Sequence, residues 1–150
     1  MSVPPPASAP SRALWPALLA YAAASLFHHV HNATYLADYP NLPAWLTQAK
    51  VYLAWAVVSS VGLCGYLLLR RQHTAAGLAV IAAYAGLGLT GLDHYARAPL
   101  AAHSAMMNLS ILLEVAAAGV LLAVLAAQVD SGRTGRLMRL RTASRAGRPS

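Results

Sequence analysis

The sequence predicts an all-α membrane protein: a bundle of four transmembrane helices, paired as two hairpins, with both termini in the cytoplasm. Three observations predict it. Four apolar stretches, near residues 14–35, 50–69, 74–94 and 101–128, take up most of the 150-residue chain. A hydrocarbon core about 30 Å thick needs roughly 20 helical residues to cross it, and each stretch has about that length. The composition is 58% hydrophobic and 10% charged, with a mean hydropathy of +0.51, which is too apolar for an ordinary soluble domain of this size. A soluble helical bundle would need a charged outer face on every helix, and these stretches carry none.

Placement of the basic residues supplies the third observation. Lys and Arg in short loops are retained on the cytoplasmic side of a membrane. Arg12 precedes the first stretch, Arg70 and Arg71 follow the second, and Arg133, Arg136, Arg139, Arg141, Arg145 and Arg148 follow the fourth. The opposite side has Lys50 and Arg97, set against Asp38 and Asp93. Residues 1–12 read as a disordered cytoplasmic leader, 13–129 as the transmembrane domain, and 130–150 as a basic, disordered cytoplasmic tail. The leader has no basic region, and the apolar run after it ends in histidines, so the first stretch is an uncleaved span and not a signal peptide. Arginine dominance over lysine and the wealth of alanine fit a GC-rich bacterial source, hence a multi-pass protein of the bacterial inner membrane.

The net charge of +7 sits mostly in the tail, where Gly, Ser and Thr separate the arginines. Such a tail suits anionic lipid headgroups, each basic residue adding on the order of 1 kcal/mol. Nucleic acid is excluded as a partner because no aromatic and basic interleaving accompanies the charge. The single cysteine, Cys64, rules out an intramolecular disulfide, a CxxC redox pair and CxxCH haem attachment, and reads as a small packing residue.

Each element has its own signals. Pro40 and Pro43 end the first helix and start the second, and Tyr39 and Trp45 are the amphipathic aromatics expected at a membrane surface. Pro99 does the same between the third and fourth. Helical spacing places Tyr21, Ser25, His28, Asn32 and Tyr35 on one face of the first helix. The same rhythm gives Gln48, Tyr52, Trp55 and Ser59 in the second and Tyr84, Gly88, Gly91 and His94 or Tyr95 in the third. In the fourth it gives His103, Met107, Ser110 and Glu114. Lipid-facing polar groups are costly, so the four stripes are expected to turn inward around a polar interior.

The polar chemistry is one-sided. His28, His29, His31, Asp93, His94 and His103 lie at the ends of the stretches that face outward, and Glu114 lies further in. By the 1.5 Å rise per residue, His28 sits about 5 Å outward of the midplane and Glu114 within a few ångströms of it, so the two are expected to meet. A carboxylate at that depth costs several kcal/mol unless it is neutralised, and no Lys or Arg lies inside the spans to pair with it. Protonation, a histidine or a metal must therefore neutralise it.

His28 and His31, at i and i+3, point two imidazoles the same way, the spacing of metal ligands in helical bundles. With His94, His103 and Glu114 they provide N and O donors for Zn, Cu or Fe. Asp93, Asn32, Tyr35, Tyr52, Met107 and Ser110 are the expected supporting residues, with Asp93 steadying an imidazole. Met107 shares the stripe of His103 and Glu114 and favours copper. His29 sits about 100° around the helix from His28 and is expected to face lipid or a neighbour. His73, beside Arg70 and Arg71, reads as headgroup-level decoration. Haem b between His28 or His31 and His94 is a weaker fit, with Gly86, Gly88 and Gly91 as its cleft. A single dense His cluster excludes the several histidine boxes of a di-iron oxygenase.

Three functional readings follow. The first is an outward-facing metal-binding site. The second is a proton or quinone relay, or a haem b electron relay, in which the histidines feed Glu114. The third is a non-catalytic assembly subunit, joined to a membrane protein partner or to copies of itself, whose polar stripes are interhelical glue.

Overall fold

The structure, a computed structural model, describes residues 10–146, and for 133 and 135–146 the backbone alone. Most of the expected leader and residues 147–150 therefore lie outside the described residues. So do the side chains of Arg133, Arg136, Arg139, Arg141 and Arg145, on which the lipid-headgroup expectation rests.

The described chain is helical, with no strand among the described residues. The helices are α1 (Leu14–Thr34), α2 (Gln48–Arg70), α3 (Thr74–Gly88), α4 (Asp93–Arg97) and α5 (Ala105–Ala146). A 3-10 turn over Leu89–Leu92 joins α3 to α4, and two more occupy Leu36–Asp38 and Leu100–Ala102. Three helical runs are long and apolar enough to cross a membrane: Gln48–Arg70, Thr74–Arg97 and Ala105–Gly132. α1 is long enough but is not among them, because His28, His29, His31 and Asn32 dilute its apolar character.

That polarity is turned inward. Of the 21 residues of α1, ten are buried, against four of the 23 in α2. α1 packs on α5 and α2 on α3, while contacts of α1 with α2 and of α3 with α5 close the ring. Its dry interior is built from Leu14, Tyr21, Ile81, Tyr84, Ala85, Ala118 and Leu121. Tyr21 reaches across it and donates to the Tyr84 carbonyl at 3.1 Å. In lipid no hydrophobic force draws helices together, so van der Waals fit and such bonds hold the ring.

Glycine sets how closely α2 and α3 approach. A Cβ on Gly65 would lie 2.6 Å from the Ile81 side chain and 3.1 Å from its backbone nitrogen, and one on Gly62 would lie 2.7 Å from the Tyr84 ring. This contact rotates α2 only part-way from the expected stripe, whose Trp55 and Ser59 stay half-buried. The inward face runs through Val51, Trp55, Val58, Gly62, Gly65 and Leu69, whereas Gln48 is exposed and Tyr52 is 38% exposed. Tyr52 therefore lies outside the polar interior. Cys64 is exposed as well, and not the packing residue the sequence suggests.

The α2–α3 turn closes with His73 donating its N–H to the Leu68 carbonyl at 2.9 Å and Gln72 in the left-handed region at φ 64. α5 runs unbroken to Ala146, through residues 130–146 of the basic tail. Gly132 and Gly135 cost about 1 kcal/mol each in a helix, but extending a helix already formed carries no nucleation cost, and no proline interrupts it.

Candidate functional site

Two loops and the adjoining helix ends meet at the end of the bundle where α1 finishes and α5 begins. On α1, the face expected from spacing is buried at Tyr21, Ser25, His28 and Asn32, joined by His31. On α5, the expected stripe is buried at Met107, Ser110 and Glu114, with His103 buried just before the helix. By the rise per residue, Glu114 lies about 7 Å from the middle of the Ala105–Gly132 run, toward the histidine end.

Tyr39 completes the cluster, and helical spacing could not have found it, because it comes from the loop. Expected at the membrane surface, it is 4% exposed and packs against Met107 and Ile111. Its hydroxyl lies 2.9 Å from His31 Nδ1 and 3.4 Å from Ser110 Oγ. Burial raises the Tyr39 phenol above its ordinary value of 10.0, with the Ser110 hydrogen bond a smaller opposing influence. The hydroxyl therefore keeps its proton.

Ser110 is fully buried and donates to the Met107 carbonyl at 2.9 Å. With that proton committed, His28 Nδ1, 3.3 Å away, is the donor to Ser110. The Nε2 lone pair of His28 is then left facing Glu114 Oε2 at 3.7 Å. His29 approaches the other carboxyl oxygen, with its Nδ1 3.9 Å from Oε1, while donating to the Ser25 carbonyl at 2.9 Å. His29, expected to face lipid or a neighbour, is thus one of the two imidazoles beside Glu114.

His94 joins from α4. Its ring meets His28 edge-on at 5.4 Å between centroids, and Asn32 Nδ2 donates to its Nε2 at 3.5 Å. Asn32 Oδ1 is buried with no partner. His103 donates from Nδ1 to the Pro99 carbonyl at 3.1 Å, which fixes its tautomer and leaves Nε2 buried and without a partner. His94 and His103 lie 6.2 Å apart between ring centroids.

The expected donors are divided, not gathered at one point. His28, His94 and Glu114, with His29, line one cavity of about 160 Å³. His31 lines another, of about 550 Å³, among Tyr35, Asp38, Ala102, Ser104, Met106 and Met107 at the loop end. Among the described residues, no group of three His, Cys, Asp or Glu side chains comes together as a metal ion requires. Of the supporting residues, Tyr35 stacks beside His31 at 4.7 Å but is 48% exposed. Met107 turns its sulfur to the Ser104 N–H at 3.4 Å. Asp93 is exposed and makes no hydrogen bond to an imidazole among the described residues.

No family model matches this chain, and neither a curated protein nor a solved structure matches it.

Proposed function

We propose that the chain is a multi-pass protein of the bacterial inner membrane that relays protons from an outward-facing cleft to Glu114. In this reading α1 crosses the membrane beside the three apolar runs, giving a four-helix transmembrane bundle of two hairpins with both termini in the cytoplasm. The observation that carries it is the succession of exchangeable groups joining the two cavities. His31, Tyr39, Ser110, His28 and Glu114 follow one another at 2.9, 3.4, 3.3 and 3.7 Å.

The steps follow from the inventory of donors and acceptors. A proton taken up by His31 from the cleft displaces one toward Tyr39. Ser110 has one hydroxyl proton, held by the Met107 carbonyl, and must turn it toward His28 Nδ1 while it accepts the one from Tyr39. His28, which holds its proton on Nδ1 at rest, must first carry it on Nε2; it then accepts at Nδ1 and releases from Nε2 to Glu114, which ends the path. The test is the proton flux to Glu114 after a downward pH jump, read from the protonated-carboxyl infrared band of the full chain in micelles. Glu114→Gln and Tyr39→Phe are each expected to lower flux at least tenfold, with folding checked by thermal melting. Wild-type flux no greater than that of Glu114→Gln would overturn the relay and leave the polar groups as interhelical glue.

A metal-binding reading has one observation in its favour: His28, His94 and Glu114, with His29, line the same cavity. Zn, Cu or Fe held there would be supported by Asn32. Metal content of protein purified without chelator decides between the readings. One metal per chain, lost in His28→Ala and kept in His73→Ala, would favour the metal site. A haem b between His28 and His94 would have to separate the rings, which are now in edge contact.

A further inference from the structure

Glu114 does not lie at a dead end. The cavity it shares with His28, His29, Asn32 and His94 has Val58, Leu87 and Gly91 as its apolar lining, and Thr90 beside them. Val58 and Leu87 stand within about 3 Å of the middles of their helical runs, by the rise per residue. Leu87 is 40% exposed and Thr90 is exposed as well. The mouth therefore opens sideways, between α1, α2 and α3, at the depth of hydrocarbon and not of water. Whatever enters there must dissolve in the bilayer.

The interior states what such a molecule must offer. Asn32 is 8% exposed, donates its amide N–H to His94, and keeps Oδ1 buried without a partner. A buried acceptor left empty costs about 1–3 kcal/mol, so the site calls for a hydrogen-bond donor. A volume of about 160 Å³ is roughly five times the share of one water in the liquid, room for a six-membered ring. The imidazoles of His28, His29 and His94 give that ring aromatic neighbours.

From this we infer that the lateral cavity binds the hydroxylated ring of a lipid-soluble phenol or quinol, its hydroxyl donating to Asn32 Oδ1 and its tail lying in the bilayer past Leu87. The inference rests on the relay reading for its purpose, since such a hydroxyl would exchange protons with Glu114, but its geometry stands apart from the outer half of the relay.

The test uses the full chain in detergent micelles and native mass spectrometry with a decyl-tailed benzoquinol. A 1:1 adduct is expected, weakened at least tenfold for the dimethyl ether of the same quinol, which has no donor. Asn32→Leu and Leu87→Trp, which remove the acceptor and close the mouth, are each expected to lose the adduct, and Leu63→Ala on the outer face of α2 is expected to keep it. Absence of a 1:1 adduct, or equal binding of quinol and ether by the wild type, would overturn the proposal whatever the variants do. Tyr39→Phe separates the two readings: it should lower flux at least tenfold and retain the adduct, so loss of one result does not carry the other with it.

Discussion

Glu114 is 3% exposed, and the basic side chains nearest it among the described residues are imidazoles, His28 at 3.7 Å and His29 at 3.9 Å. A buried acid of this kind depends on its neighbours for hydrogen bonds, and removing one partner costs about 1–3 kcal/mol. His28→Ala should therefore destabilise the protein mainly through the carboxyl it strands, and Glu114→Gln should be nearly harmless once His28 is gone. A double-mutant cycle read by thermal or denaturant unfolding is expected to give a coupling of about 0.5–3 kcal/mol. Additivity within experimental error would mean that the two side chains do not act together. The pair is legible in the sequence because both residues fall on helical stripes whose depth can be counted. Tyr39 is not, because a loop residue carries no periodicity. His29 is misplaced by spacing alone, because angular position on an ideal helix ignores how far a side chain reaches.

At the scale of elements, the contact between α2 and α3 is decided by residues with no side chain. Gly65 faces backbone as well as the Ile81 side chain, so an added methyl cannot be relieved by a rotamer change alone. Gly65→Ala is expected to destabilise the protein by about 1–3 kcal/mol through overpacking. Gly86 has nothing within 4 Å of a built Cβ, and Gly86→Ala should be neutral or stabilising by up to about 1 kcal/mol, since alanine is the better helix former. Melting temperatures of the two variants in the same detergent check both. Equal effects would place the close approach elsewhere. The same glycines explain why the polar stripe of α2 turns inward only in part, with Gln48 and Tyr52 left exposed. Spacing identifies a face, but small residues, which no polarity pattern weights, decide which face a helix presents to its neighbour. The 3-10 turn over Leu89–Leu92 and the length of α5 are illegible for a related reason. Each depends on what the preceding helix is already doing, and not on local composition.

Taken whole, the molecule puts its two longer loops and most of its basic residues at opposite ends. Residues 35–47 and 98–104 gather beside the histidines, where Asn41 Nδ2 donates to the Arg97 carbonyl at 2.9 Å and ties one loop to the end of α4. At the far end the backbone N–H of Ser11 donates to Gln128 Oε1 at 3.0 Å, fixing the start of α1 beside α5. Arg12, Arg70 and Arg71 lie at that end, and the tail arginines follow it in sequence, whereas the histidine end has Lys50 and Arg97. If positive residues are retained on the cytoplasmic side, the Ser11 end is inside and the cleft beside His31 opens outward. A reporter active in the cytoplasm alone should then work when fused after Ser150 and fail when inserted at Asn41. The three apolar runs alone would leave α1 free to lie elsewhere, so a second fusion, at Gln72, carries the count. Cytoplasmic activity at both Gln72 and Ser150 requires an even number of crossings between them, which α3 with α4 and α5 supply. Activity at a fusion before Leu14 as well as at Gln72 requires α1 to cross along with α2. Inactivity before Leu14, with activity at Gln72, would make α1 a helix that does not span, and its ten buried residues would then line the bundle from one side of the membrane.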